Sequence, residues 1–402
     1  MDMTFPQTTT KPRPRPLARL LARMLGGAKA GVLHVHTDRA MLLRAQGAAA
    51  GPQARIHVHS PRAILRALLG GEHGAARAFI LGEWSSPDLT EACRFFARNP
   101  PKTDWPLIST PRRWLERARH AWRANTRAGS RRNIEFHYDL GNDFFRLWLD
   151  ESMAYSSAIW RDGATSLEQA QRAKLARVAD LLGDLAGRSV LEIGCGWGAQ
   201  AQELASRGAQ VKGITLSPAQ LAFARAAVAA GPHAGQVELV LEDYRDQAVS
   251  HDAVVSIEMA EAVGEANLPG YFDTIRRSLK PGGTAVLQVI TIAEENLDNY
   301  RANPDFIQRY VFPGGFLPSR TQVLELARAA GLRPIGHESF GLCYARTLAE
   351  WRDRFDAAWP EIAVLGFDER FRRLWTYYLC YCEAGFREGV VDVGLYVLAG
   401  PG

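Results

Sequence analysis

Gly194-Cys195-Gly196-Trp197-Gly198 follows directly on the apolar run Ser189–Ile193 and opens a helical stretch at Ala199. Glycine is needed where a backbone turns tightly and lets a ligand come close, because it has no Cβ and reaches positive φ at little cost. The spacing is G-x-G-x-G, one residue shorter than the G-x-G-x-x-G of dinucleotide enzymes. Cys195 has no neighbouring histidine to take its proton, so it is expected to pack beside the ligand and not to act as a nucleophile. Polar residues stand at the ends of three further apolar runs: Thr215-Leu216-Ser217 with Gln220 a turn later, Glu242-Asp243-Tyr244, and Glu261 just past Ala253–Ile257. In an open parallel sheet the carboxyl ends of strands are where ligands bind, which makes all three candidate contacts.

The elements that must position these groups can be read from the pattern. Ser189–Ile193, Gln210–Ile214, Val237–Leu241, Ala253–Ile257 and Thr284–Ile290 read as buried strands. Ala199–Arg207, Pro218–Ala229 and Tyr271–Leu279 read as helices between them. Strand and helix in alternation predict a parallel sheet covered on both faces, with His337–Phe340 and Asp392–Leu398 as a final strand pair. A chain of 402 residues also predicts more than one domain. His34, Ile56 and Val58 lie in short alternating stretches, Ala63–Leu69 and Leu89–Ala97 have helical spacing, and Pro100, Pro101 and Pro106 break the chain beyond them. The expected organisation is a basic arm over 1–30, a small N-terminal α+β domain over 31–110, a basic linker helix over 111–132 and an α/β domain over 133–402.

Charge is unevenly spread. The chain carries a net +5, yet residues 111–132 hold eight arginines against Glu116, a net +7 that leaves the rest near −2. Trp114, Leu115, Ala118, Ala121 and Trp122 fall at helical spacing in that run. A basic helix with tryptophans on one face suits an anionic membrane surface, and a linker helix docked on its own protein is the alternative. No nucleic-acid motif accompanies the charge, so nucleic acid is not an expected partner. The five cysteines form no CxxC pair and no zinc spacing, which predicts a reducing cytoplasm without a disulfide frame or a metal site.

The glycine loop, together with Leu279-Lys280-Pro281-Gly282-Gly283, resembles class I S-adenosylmethionine-dependent methyltransferases. That resemblance implies a Rossmann-like sheet with S-adenosylmethionine at Gly194, Cys195, Gly196 and Gly198. It places the ribose hydroxyls near Thr215, Leu216, Ser217 and Gln220, the adenine amine at Asp243 and the adenine ring beside Tyr244. A longer set of words resembles the cyclopropane-fatty-acid synthases and mycolic acid methyltransferases: His137-Tyr138-Asp139-Leu140-Gly141-Asn142-Asp143-Phe144-Phe145, Tyr155-Ser156-Ser157-Ala158, Tyr310-Val311-Phe312-Pro313-Gly314-Gly315, Trp359-Pro360-Glu361-Ile362 and Trp375-Thr376-Tyr377-Tyr378. These imply helical acyl-binding insertions in the α/β domain, donor contacts at Tyr155 and Ser156, and a lipid-binding role for the N-terminal domain.

In that family the cis double bond of a phospholipid acyl chain attacks the sulfonium methyl, and a proton leaves the resulting carbocation as the ring closes. The proton goes to a bound bicarbonate. The resemblance assigns that anion to Glu261, Ile290 and Tyr344, with Ser157 where a cysteine is usual and Gln288 where a histidine is usual. Ser157 and Gln288 still offer hydrogen bonds, and neither titrates near neutrality. Gln288 with Glu261-Ala262-Val263-Gly264 is similar to the plant-type synthases. Two product outcomes follow from these departures: a cyclopropane, or an open-chain methyl-branched or methylene acid such as a furan fatty acid precursor. A non-catalytic lipid-binding protein is the reading from another class. The aromatic segment Phe340, Tyr344, Trp351, Phe355, Trp359, Phe371, Trp375, Tyr377, Tyr378 and Tyr381 is expected to be mostly core, with a minority lining an acyl tunnel. Peripheral association with the inner membrane face is expected, and the sequence leaves a homodimer open.

Overall fold

The computed structural model describes residues 27–100, 140–161 and 163–402. Most of the expected basic arm, the whole expected linker helix over 111–132 and His137-Tyr138-Asp139 lie outside these residues. The chain divides into two compact units, Met1–Trp105 and Pro106–Gly402.

In the first unit, strands β1 (Ala30–His36), β2 (Met41–Gln46), β3 (Ala49–Val58) and β4 (Trp84–Ser85) form a sheet in the order β2-β1-β3-β4. β1 runs antiparallel to β2 and parallel to β3. Helix Pro61–Ile80 starts where the Ser60 hydroxyl accepts from the Arg62 amide and Pro61 fills the first turn. Helix Leu89–Arg98 starts where the Asp88 carboxylate accepts from the Glu91 amide. Beyond its end, Asn99 accepts from the Lys29 and Ala30 amides and donates to the carbonyls of Ala30 and Phe95, tying the helix end to β1. No metal site was expected here, yet the end of β3 and the residue just beyond it bring His57 and His59 beside Asp38. His57 pairs with Asp38 at 2.8 Å and His59 with the Ser85 hydroxyl at 2.7 Å.

The second unit is built on seven strands: β5 (Ser189–Ile193), β6 (Gln210–Thr215), β7 (Val237–Leu241), β8 (His251–Ile257), β9 (Leu279–Ile292), β10 (Arg333–Ser339) and β11 (Val391–Ala399). Their order is β10-β11-β9-β8-β5-β6-β7. β5 to β9 pair in parallel, and β11 lies antiparallel between β9 and β10. Val190, Leu191, Val254, Val255, Leu287 and Val289 are wholly enclosed, as expected of strands covered on both faces. The third expected helix differs: it runs Leu268–Arg277, with Pro269 in its first turn, and Leu279 already belongs to β9. Two long helices, Gly341–Ala357 and Glu369–Arg387, fill the connection between β10 and β11 and carry most of the aromatic segment.

The topology decides where a ligand can sit. β5 pairs with β6 on one side and β8 on the other, so the strand order reverses beside it. A crevice opens at such a switch point, outside the carboxyl ends of the strands. Gly194 leaves β5 there, and Glu258 leaves the neighbouring β8.

Candidate active site

The loop after β5 needs its glycines for different reasons. Gly194, Gly196 and Gly198 have φ of 84°, 52° and 89°. A Cβ on Gly194 would lie 2.4 Å from the Met259 sulfur, whereas one on Gly196 would meet no protein atom within 4 Å. Gly196 thus presents bare backbone to open space at the crevice, the geometry a closely approaching ligand requires. Helix Asn142–Arg146 leans on this loop: Trp197 Nε1 donates to Asn142 Oδ1 at 2.9 Å, and the Trp197 and Phe145 rings lie 5.2 Å apart. Cys195 is buried, and burial lifts its thiol well above the ordinary range, which suits a packing residue.

The side chains expected around the ribose and adenine are partly committed elsewhere. Ser217 caps helix Pro218–Ala230 by accepting from the Gln220 amide, and Thr215 Oγ1 accepts from the Ser217 amide at 3.2 Å. Thr215 Oγ1 also lies 3.4 Å from Gln220 Oε1, and Leu216 is half-buried. Asp243 has a partner within its own turn. Its carboxylate is clamped by Arg245 Nε at 2.8 Å and Nη2 at 2.6 Å, so it accepts from its own neighbour. Tyr244 is buried with its ring edge-on to Tyr271 at 5.6 Å, turned into the core. Tyr155 bonds through its hydroxyl to that of Tyr378 at 2.8 Å, and Ser156 accepts from the Lys174 ammonium at 2.9 Å.

The chemistry concentrates at the end of β8. Glu258 has φ of 51°, a conformation that few residues other than glycine adopt. Its amide donates to the Gln288 carbonyl at 2.8 Å, which holds the turn. Three donors converge on its carboxylate: the Ser157 amide at 2.9 Å, Gln288 Nε2 at 2.8 Å and the Tyr344 hydroxyl at 2.8 Å. The Ser157 hydroxyl turns away to the Ala158 carbonyl, so this residue serves through its backbone. Gln288 has its amide nitrogen fixed by two acceptors, Glu258 and the Ser157 carbonyl. The expected anion-binding residues Ser157, Gln288 and Tyr344 are therefore brought together, but around Glu258 and not around space for a free anion. Glu261 stands beside this group. Its Oε1 accepts from the Ile290 amide, while its Oε2 is enclosed without a partner. Burial and the neighbouring Glu258 charge push the Glu261 carboxyl up to about 8. Burial also raises Glu258, against the three donors that favour its charged form. At neutral pH Glu261 therefore keeps its proton, and the donors from Ser157, Gln288 and Tyr344 are what favour charge on Glu258.

Residues 125–395 match the family described as mycolic acid cyclopropane synthetase. The chain belongs to that family. As a cyclopropane synthetase family member it is an S-adenosylmethionine-dependent methyltransferase of fatty acyl chains. It is 40% identical over 366 residues to tuberculostearic acid methyltransferase UfaA1 of Mycobacterium tuberculosis, covering 87% of this chain and 84% of that one. It is 41% identical over 252 residues to the cyclopropane-fatty-acyl-phospholipid synthase of Escherichia coli, covering 62% of this chain and 63% of that one. Among solved structures, mycolic acid cyclopropane synthase CmaA1 complexed with SAH and CTAB is 30% identical with a TM-score of 0.63, covering 67% of this chain and 98% of that chain.

Within this synthetase framework the main residues missed by sequence reading are Glu258 and Lys174. Lys174 lies on the buried face of helix Leu167–Leu182 with Ala170, Gln171 and Val178, and is 2% exposed. A lysine at core spacing was the available signal. Burial lowers its affinity for a proton, and the neighbouring Glu258, Asp150 and Glu192 act against that shift. Of the aromatic segment, Phe340, Tyr344, Trp351, Phe355, Trp375, Tyr377 and Tyr378 are core and the others half-buried. Tyr344 does both jobs, its ring packing tilted against Phe386 at 4.6 Å while its hydroxyl reaches Glu258.

Proposed function

We propose that the chain transfers the methyl group of S-adenosylmethionine to the cis double bond of an unsaturated acyl chain carried by a membrane phospholipid, and closes a cyclopropane ring. The observation that carries this reading is the enclosed Glu258–Glu261 pair at the switch point of the sheet, beside the glycine loop. An alkene is a weak nucleophile, so the reactants must be held together away from water and the cation must find negative charge. A carboxylate held by three donors, with the packed rings of Tyr344, Trp351 and Tyr155 nearby, supplies what a carbocation needs. Glu261 and Ile290 belong to this centre through their mutual hydrogen bond.

A second reading keeps the methyl transfer and ends in an open-chain methylated or methylene acid. The specific support for it is the similarity to tuberculostearic acid methyltransferase UfaA1, which spans 87% of this chain against 62% for the Escherichia coli synthase. Lipids from a host expressing the protein distinguish the readings. Both predict phospholipid acyl chains heavier by one CH₂. Ring closure gives high-field ring-methylene protons in the NMR spectrum, whereas the methylene acid gives vinylic protons. Unchanged acyl chains would overturn the function.

Association with the membrane face is part of the same proposal, resting on the arginine-rich run at 111–132 with Trp114 and Trp122. Binding to vesicles of anionic lipid should exceed binding to neutral vesicles and weaken as salt rises. Equal sedimentation with both vesicle types would leave the segment as an internal linker.

A further inference from the structure

Four hydrogen-bond donors on the residues that the family resemblance assigns to a bound bicarbonate already have a protein carboxylate as their partner. The Ser157 amide, Gln288 Nε2 and the Tyr344 hydroxyl are spent on Glu258, and the Ile290 amide on Glu261. Bicarbonate does not fit this arrangement without displacing Glu258. We propose that the Glu258 carboxylate is itself the general base of the reaction, an anion built into the chain where a diffusible one would otherwise bind.

Several independent features support the assignment. A carboxylate offers about four lone-pair directions, and three are used here, so one remains for a substrate proton. Glu258 as a residue is not sealed: it keeps partial access although its carboxylate is hemmed in. Its φ of 51° carries a conformational cost that β8 and the bond to the Gln288 carbonyl must hold in place. Burial by itself disfavours an acid there. Gln288 is a neutral donor. A histidine at that position would compete for the proton, whereas the amide can only orient the base. Burial and Glu258 itself keep the Tyr344 phenol above its ordinary value, so it remains a donor throughout the neutral range.

This inference rests on the C-methylation reading, and its steps balance. The alkene π pair forms a bond to the donor methyl, the carbon–sulfur pair leaves with sulfur as S-adenosylhomocysteine, and a cation forms on the adjacent carbon. A C–H bond of the new methyl then breaks. Its electron pair closes the ring, or after a hydride shift forms the exocyclic double bond, and its proton goes to Glu258. Glu258 returns the proton to water before the next turnover.

The test uses the full-length enzyme with vesicles of unsaturated phospholipid, in buffer stripped of carbon dioxide and again with added bicarbonate. Wild-type turnover should be the same in both. Glu258→Gly, which suits the positive φ, should lose about a hundredfold or more without bicarbonate. Added bicarbonate should restore part of that loss. Glu258→Gln should lose as much and gain nothing, because its amide keeps the space filled. Calorimetry should find S-adenosylmethionine affinity unchanged in both variants, which also verifies that they fold. In parallel, ¹³C-bicarbonate should show line broadening with Glu258→Gly and none with the wild type. Wild-type turnover that collapses without bicarbonate, or ¹³C broadening by the wild type equal to that of the variant, would overturn the proposal. A wild type inactive on every unsaturated phospholipid would count against the function alone, since the ¹³C comparison still decides what occupies the anion site.

Discussion

Gly196→Val is expected to take S-adenosylmethionine binding from the micromolar range, roughly −8 kcal/mol, to beyond measurement, a loss of at least about a hundredfold. Two effects add. The backbone at this position has φ of 52°, which a β-branched residue almost never adopts. The new side chain would also project into the space where Gly196 now meets no protein atom within 4 Å. Gly196→Ala separates the contributions, since alanine carries the strain with only one methyl of bulk. Calorimetry on both variants, with circular dichroism to verify folding, makes the comparison. Unchanged affinity in the valine variant would remove the loop from the donor site. Gly194→Val would be a poorer probe, because its clash with Met259 would disturb the turn whether or not a ligand binds there.

The fold was legible because its signals are local. β5 to β9 are short apolar runs ended by glycine, proline or polar residues, and strands buried on both faces must read that way. The glycine loop was legible for the same reason: its meaning lies in five consecutive residues. The anion centre was only half legible. Ser157, Gln288, Ile290, Tyr344 and Glu261 could be named from the resemblance, but their mutual partner could not. The donors to Glu258 come from positions 101, 30 and 86 residues away in the chain, and no periodicity links them. Asp243 shows the opposite case. Its capture by Arg245 is a contact over two residues, and the sequence word Glu242-Asp243-Tyr244-Arg245 already contained both partners. A charged neighbour two positions on takes part of that carboxylate's hydrogen-bonding capacity.

Glu261→Gln should raise the stability of the protein, and by more as the pH rises. In the folded chain the Glu261 carboxyl is pushed up from 4.5 to about 8 by burial and by the Glu258 charge. Between those two values the unfolded chain has released a proton that the folded chain still holds. Stability from this group is therefore full below pH 4.5 and is lost progressively as the pH climbs through the folded value. Glutamine carries no such proton and shows no such decline, while its oxygen can still accept from the Ile290 amide. The difference between variant and wild type should be small near pH 5 and reach on the order of 3–5 kcal/mol above about pH 8. Thermal unfolding across that range measures it, and parallel curves for the two proteins would mean that Glu261 titrates normally. Turnover gives the complementary reading. Because glutamine reproduces the neutral form that burial imposes at pH 7, activity there should fall by no more than about tenfold, far less than for the Glu258 variants. A hundredfold loss at pH 7 would show that Glu261 works as the ionised partner. The negative charge facing the cation would then have to be assigned to it, with Glu258 carrying the proton.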